Sequence, residues 1–425
     1  AGGLTEVSGL LTQLQGLVTS SASTSGISES EKQANQLQID SILQTIDRIS
    51  SSTSFQGIKL LNGNFDFKTS GVNAGVSDYK INAAKFSGSQ NVNVLVTGSA
   101  QQGGMFMSFG ATSIDTATGS QFTIEVGGAI GNRQLTFSSS TSLTNIAAAI
   151  NSFTSITGAK ATVSGTGIRL DATEYGSSNF TSLRVVNAGG ITNAGNEGVY
   201  DLQAANTAAA NTTRVSTFAG ASNTKTNKGK DLQATINGVA ATTNGKTARI
   251  NTDFLDVEVT LSNSQSQTLG SVGTNAMTIT GGGASFQLGG NVDIAGKVSI
   301  GIQSVAASKL GTSALGYLNS LASGQSNNVV SGNTDKAQQI VSAALNQVSS
   351  LSGRLGAFQA NTIGATVRSL GVAVENSTAA QSIIRDTDFA TETAKLTRGQ
   401  ILVNASTNIL GLSNQTPQSA LQLLG

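Results

Sequence analysis

The sequence contains no cysteine, no histidine, no tryptophan and a single proline in 425 residues. Without cysteine there can be no disulfide, thiolate nucleophile or thiolate metal site, which is compatible with an extracellular chain that does not rely on oxidative folding. Without histidine the usual zinc ligands, His-dependent triads and the commonest general base are excluded, and most hydrolase mechanisms go with them. Charge is scarce as well: charged residues make up 11%, and 24 basic against 23 acidic side chains leave a net charge of +1. Such a chain has no extended positive field to hold a polyanion, so nucleic acid is not an expected partner. No run approaches the roughly 18 apolar residues that span a bilayer, and membrane insertion is not expected either. No cofactor is expected.

What is present is Gly, Ser, Thr, Asn and Ala, with 38% hydrophobic residues and only 4% aromatics. That is enough apolar material for two to four domains with real cores. The chain starts at Ala1 without a Met and already inside a helical pattern, as expected of a truncated or processed product.

Both ends are helical by periodicity. Leu4, Val7, Leu11, Leu14 and Val18 recur at spacings of three and four, the seam of a helix packed lengthwise on another. Ser28-Glu29-Ser30-Glu31 is a capping box that starts a second helix, in which Ile39, Ile42, Ile46 and Ile49 continue the spacing. Near the other end Ala337, Val341, Ala344, Val348, Leu351, Leu355 and Phe358 step 4-3-4-3-4-3, a heptad seam. Ile363, Val367, Leu370 and Val374 resume it shifted by one residue, as a drifting or stuttering bundle requires. A further helix over "RDTDFATETAKLTRGQILVNASTNILGLSNQ" places Ile401, Leu402, Ala405, Ile409 and Leu412 on one side.

Between about Asn64 and Asn333 the period changes to alternation. Phe122, Ile124 and Val126 alternate with Thr123 and Glu125, and Leu255, Val257, Val259 and Leu261 with Asp256, Glu258 and Thr260. One helix interrupts: Leu143, Ile146, Ala147, Ile150 and Phe153, with Thr141 and Ser142 as caps and Gly158 as a stop. Helix seams at both ends of the sequence can bury one another only if the termini meet. The expected fold is therefore α+β, an elongated antiparallel helical bundle built from both chain ends with inserted β-rich outer domains. The segments are 1–63 (N-terminal helical core), 64–333 (β-rich insertion), 334–380 (C-terminal helical core) and 381–425 (terminal assembly helix).

The residues that could carry chemistry read better as structure. Asn244-Gly245-Lys246-Thr247 contains a Gly-Lys-Thr, but Ala240 stands where a phosphate-binding loop needs glycine, and Asn-Gly is a hairpin turn. "TITGGGASFQLGG" lacks the spacing that cradles a pyrophosphate and reads as a turn or bulge. Asp386 and Asp388 read as N-terminal caps and dipole partners of a helix rather than a cation site. Asp253, Asp256 and Glu258 lie on the polar side of a strand and are expected to be solvated. Ser and Thr of the middle region are possible O-glycan acceptors but fit turn and strand surface equally.

"DSILQTIDRISSSTSFQGIKLLNG" with the segment before it, and "RLGAFQ" with "ENSTAAQSIIRDTDFATETAKLTRGQILVNASTNILGLSNQTPQSALQLLG", resemble the N- and C-terminal signatures of bacterial flagellin. The resemblance covers Ala1 to Gly63 and about Asp335 to Gly425, and "FTIEVGGAIGNRQLTFSSSTSLTNIAAAINSFTSITGAKATVSGTGIRLDA" is similar, more weakly, to a module inserted in flagellins and hook-associated proteins. It implies a secreted structural subunit, not an enzyme, that is exported with a flagellar chaperone and polymerises under a filament cap at the extracellular cell surface. The extreme N-terminal helix that pairs with the C-terminal helix in flagellins is absent, so this chain alone is not expected to polymerise normally. Ile401, Leu402, Ala405, Ile409, Leu412, Leu421 and Leu424 are the expected self-assembly residues, with Pro417 interrupting the last helix and Leu421 to Leu424 following as an apolar hook.

Flagellins are also recognised by a Toll-like innate receptor through Arg and Glu on the core helices. The corresponding positions here are about Gln13 and Gln38, with Leu17 or Val18 keeping the apolar part. Loss of two charged partners implies weak receptor activation. Three other readings stand beside it: a cell-surface homologue whose β region binds polysaccharide or a host surface, a hook–filament junction protein of the same structural class, and a glycosidase using paired carboxylates. The C-terminal motif disfavours the second, and the absence of Trp platforms the third.

Overall fold

The computed structural model describes residues 2–23, 27–191, 195–202, 210–289, 296–330, 333–423 and 425, with backbone alone at 202, 210–213 and 386–388. Two compact units divide the chain, Ala1–Ser352 and Gly353–Gly425.

The first unit begins with helix α1, Gly2–Ser21, which buries Leu4, Val7, Leu11, Leu14 and Val18. Helix α2, Glu29–Ser52, starts at the capping box: Ser28 Oγ accepts from Glu31 N at 3.3 Å, and Ser28 N donates to Glu31 Oε2 at 2.7 Å. Its buried stripe is Gln36, Ile39, Leu43, Ile46 and Ser50. Ile42, expected in that stripe, is only half-buried, as is Ile49. The 4-3-4 step from Ile39 runs through Leu43, and Ile42 sits about 100° round the helix, on its flank. After α2 a hairpin pairs Ser54–Phe55 with Ile58–Lys59 across Gln56 (φ 50°) and Gly57 (φ 81°), both left-handed as a two-residue turn demands.

Three polar side chains of α2 then hold a distant stretch of chain. Gln36 Nε2 donates to the Leu321 carbonyl at 2.8 Å and its Oε1 accepts from Val329 N at 3.0 Å. Asp40 Oδ1 accepts from Ser323 N at 2.9 Å, and Asp47 Oδ1 from Ala307 N at 2.7 Å. From the C-terminal side, Gln347 accepts from Gly311 N at 2.9 Å and donates to the Gly311 carbonyl at 2.6 Å. With Leu310, Leu318, Leu321 and Val329 buried, residues 304–330 pack with the helices, although the sequence placed them in the β-rich insertion.

The β region has two separate cores. The inner one gathers Ile81, Val92, Val94, Val257, Val259, Met277 and Ile279, among others. Its largest sheet is antiparallel, ordered Thr242–Asn244, Thr247–Asn251, Leu255–Leu261, Val76–Ala84, with Val257 opposite Ile81 and Val259 opposite Tyr79. The outer core lies in the stretch inserted between Gln101 and Lys230. There a five-stranded sheet centred on Gln102–Ser108 and a four-stranded sheet centred on Phe122–Gly128 and Phe180–Ala188 enclose Phe109, Phe122 and Phe218, whose rings lie 5.0–5.5 Å apart. The helix Leu143–Asn151, capped by Ser142, buries Leu143, Ile146, Ala147 and Ile150 in the same core.

Chain entry to and exit from the insertion are paired: Gln101 N donates to Lys230 O at 2.8 Å and Lys230 N to Gln101 O at 2.9 Å. Backbone passes so close here that a Cβ on Gly229 would lie 2.4 Å from the Gln101 carbonyl and 2.5 Å from that of Gly176. Only glycine fits such an approach. Asp231 closes the seam, accepting from Gly245 N at 2.7 Å, from Ser177 N at 3.1 Å and from the Ser177 hydroxyl.

Helix Thr334–Ala357 buries Ala337, Ile340, Val341, Ala344, Val348 and Leu351. There the burial stops. Leu355 and Phe358 are half-exposed, and Val367, Leu370 and Val374 are exposed. The intramolecular seam expected to reach Val374 thus ends at Leu351, where the first unit ends, although the apolar repeat itself continues.

Candidate assembly surface

The second unit is one helical run. The helix Thr334–Ala357 passes through a π-helical segment, Phe358–Ile363, into a 59-residue helix, Gly364–Gln422. Phe358 to Ile363 is the five-residue step at which the seam shifts by one, and the i→i+5 bonding of a π segment is the geometry that absorbs one extra residue. No helix starts at 386; Asp386 and Asp388 lie inside the long helix, so the capping role expected of them does not hold. Their side chains lie outside the description.

Pro417 also lies inside the helix, which runs on to Gln422, so the expected break is not there. A proline deprives the carbonyl four residues earlier of its N–H partner. That carbonyl is Ser413 O, and the Thr416 hydroxyl donates to it at 2.8 Å. The residue beside the proline thus supplies the missing donor. Leu421 belongs to the helix itself, while Leu424 lies outside the described residues.

At about 100° per residue, Ile401, Leu402, Ala405, Ile409 and Leu412 fall within an arc of roughly 100°. All four large residues are exposed, Ile401 by 62% and Ile409 by 67%. Phe389, Leu396, Val403 and Leu410 follow one another at seven-residue steps on the opposite side and are equally exposed. Leu421, 18 residues after Val403, shares that second direction. It therefore does not join Ile401 and Ile409 on one face, and the second stripe was missed by the sequence reading. Fixed seven-residue steps could have revealed it.

Intervening threonines turn inward: the hydroxyls of Thr378, Thr393 and Thr397 donate to the carbonyls of Val374, Phe389 and Thr393, each at 2.8 Å. Such back-bonding satisfies the hydroxyl within its own helix, so it needs no outside partner. Lys395 and Glu392 form an exposed pair at 3.5 Å, worth little. A helix apolar on both sides is stable in water only when covered. Burying Ile401, Leu402, Ile409 and Leu412 contributes about 6–12 kcal/mol.

Other expected sites are accounted for structurally. Gln13 and Gln38 are exposed on α1 and α2; Leu17 is half-buried, while Val18 is in the core and cannot offer a receptor contact. Asn244 pairs with Thr247 across a two-residue turn, with Gly245 at φ 58°, a hairpin rather than a phosphate cradle. The glycine run carries a register shift between Ile279 and Gly281, a bulge. Asp253 is exposed, as expected, and pairs with Lys85 at 2.8 Å, whereas Asp256 is largely buried and pairs with Arg249 at 3.0 Å. A polar cavity of about 690 Å³ in the first unit is lined by Asn62, Asp66, Asp78, Glu258 and Lys309 among others. Among the described residues no three His, Cys, Asp or Glu side chains are placed to hold a metal, and no helix is long and apolar enough to cross a membrane.

Comparison with known proteins bears on both ends. Residues 1–66 match the bacterial flagellin N-terminal helical region and residues 338–424 the bacterial flagellin C-terminal helical region. Flagellin of Salmonella muenchen is 44% identical over 95 residues, 22% of this chain and 19% of that protein. Flagellin D of Vibrio anguillarum is 46% identical over 94 residues, 22% of this chain and 25% of that protein. The match thus spans a quarter or less of these relatives' length. Burkholderia pseudomallei FliC is similar at 13% identity with a TM-score of 0.26, covering 84% of this chain and 95% of that one. The D2–D3 domains of the Escherichia coli flagellar cap protein FliD give 19% identity and a TM-score of 0.30, covering 50% of this chain and 98% of that one. Both likenesses are too slight to bear on the fold.

Proposed function

The chain is of the bacterial flagellin family by both of its helical ends, and from that premise we propose that it is a structural subunit that self-assembles into the flagellar filament for motility. The observation that carries this reading is the two-sided exposed apolar helix Gly364–Gln422, within the C-terminal region that the family model matches. Repeated heterologous contacts that do not close into a ring generate a helical polymer. In that polymer neighbouring subunits cover Ile401, Leu402, Ala405, Ile409 and Leu412 on one side of the helix and Phe389, Leu396, Val403, Leu410 and Leu421 on the other. Export to the cell surface, a flagellar chaperone and a filament cap are part of the same proposal. So is weak activation of an innate receptor, because Gln13 and Gln38 offer uncharged amides where the family carries charge.

Electron microscopy of the full-length subunit, seeded with filament fragments, tests it. Elongated tubular filaments are expected from the native protein. Ile401→Asp with Ile409→Asp is expected to stop elongation while leaving the thermal unfolding transition in place. A full-length protein that stays monomeric under seeding would overturn the proposal.

A further inference from the structure

Three Asn-Gly steps occur in the sequence, Asn62-Gly63, Asn237-Gly238 and Asn244-Gly245. Such a step can convert spontaneously. The glycine backbone nitrogen attacks the Asn Cγ, ammonia leaves, and a five-membered succinimide closes; water then opens it at either carbonyl, leaving aspartate or isoaspartate. The net change is amide plus water to carboxylate plus ammonium, with no redox partner. Glycine makes the attack possible because no side chain crowds its nitrogen, and the fold decides whether the two atoms can meet.

The fold treats the three steps differently. Asn237 is clamped: its Oδ1 accepts from Asn93 N at 2.8 Å and its Nδ2 donates to Asn91 O at 3.1 Å, so the amide is turned away onto a neighbouring strand. At Asn244 the attacking group is the one tied down. Gly245 is buried, and its N–H donates to Asp231 Oδ1 at 2.7 Å inside the seam between the two β cores. At Asn62 neither restraint is present. Asn62 is exposed, Gly63 takes φ 92° in an irregular stretch, and among the described residues no hydrogen bond of the Gly63 N–H is found.

Moreover, Asn62 Oδ1 accepts from Asn64 N at 3.1 Å. That bond folds the side chain forward over the peptide it must react with, and it polarises the carbonyl that the nitrogen adds to. Asn73 and Asn187 make the same two-residue bond, to Gly75 N at 2.8 Å and Gly189 N at 2.9 Å, but each is followed by alanine. Only Asn62 combines the forward-folded amide with a following glycine.

We propose that Asn62-Gly63 is a site of spontaneous deamidation and isoaspartate formation in the folded chain, and that the fold protects the other two Asn-Gly steps. The modification places a new carboxylate on the wall of the polar cavity already lined by Asp66, Asp78 and Glu258. It falls directly after Leu61, whose carbonyl is held by the Ser50 hydroxyl at 2.8 Å and by Val305 N at 3.0 Å, where the chain leaves the helices for the β region.

The test is peptide mass spectrometry of the full chain after extended incubation at mildly alkaline pH, with isoaspartate counted by enzymatic methylation. Conversion at Asn62 is expected to run on the order of tenfold ahead of Asn237 and Asn244, the factor that one or two retained hydrogen bonds impose. Unfolding in urea should bring the three rates together, and Asp231→Ala should raise the rate at Asn244. Equal rates at the three steps in the folded chain, an order that persists in urea, or no response of Asn244 to Asp231→Ala would each overturn the assignment.

Discussion

Gln36 and Asp231 show how much of this fold depends on single polar side chains. Gln36 is buried and has its amide satisfied by Leu321 O, Asp40 and Val329 N. Replacing it by alanine strands a carbonyl and an N–H, so Gln36→Ala is expected to cost about 1–3 kcal/mol in denaturant unfolding. Asp231 is pulled upward by partial burial, but the Ser177 hydroxyl and the N–H groups of Gly245 and Ser177 outweigh this and hold its carboxyl below the ordinary range. With the folded value below the unfolded one, its contribution to stability is complete above the unfolded value and is lost as pH falls through the folded one. Unfolding followed from neutral to acid pH should show that loss in the native chain and lack it in Asp231→Ala. Neither residue was legible beforehand. A buried glutamine breaks no periodicity, and the partners of Asp231 lie far away in sequence, so their approach is set by the chain crossing at Gln101 and Lys230.

The elements themselves were largely legible, because periodicity reports burial. The stripe of α1, the capping box of α2, the capped helix Leu143–Asn151 and the alternation over Leu255–Leu261 all stand where the pattern put them, whereas Thr123, expected on the polar side of its strand, is buried. What failed was the inference from pattern to partner. The repeat runs unbroken from Ala337 past Leu351 in sequence, yet beyond Leu351 its residues are exposed, since a heptad encodes a face and not what covers it. Pro417 failed differently: its cost was read as a break, whereas Thr416 offsets it by bonding the orphaned Ser413 carbonyl. Pro417→Ala is therefore expected to raise helix content near the end of Gly364–Gln422, with a local gain of up to about 3 kcal/mol. Thr416→Val should lower it, and far-ultraviolet circular dichroism of the full chain reads both.

At the scale of the whole molecule, the first unit buries its apolar stripes in two β cores and a helical core, although residues such as Leu37, Phe55 and Ile130 stay exposed, while Gly353–Gly425 keeps two whole apolar stripes exposed. On the proposed reading, neighbouring subunits cover both stripes. Most helical stability in proteins comes from packing an apolar face, so a helix without such cover opens readily. The direct test is amide hydrogen exchange over residues 364–422, measured in the full-length monomer and again in seeded filaments. Fast exchange is expected in the monomer and strong protection in the filament, with the exchange of α1 and α2 changing far less. Equal protection of residues 364–422 in the two states would contradict it.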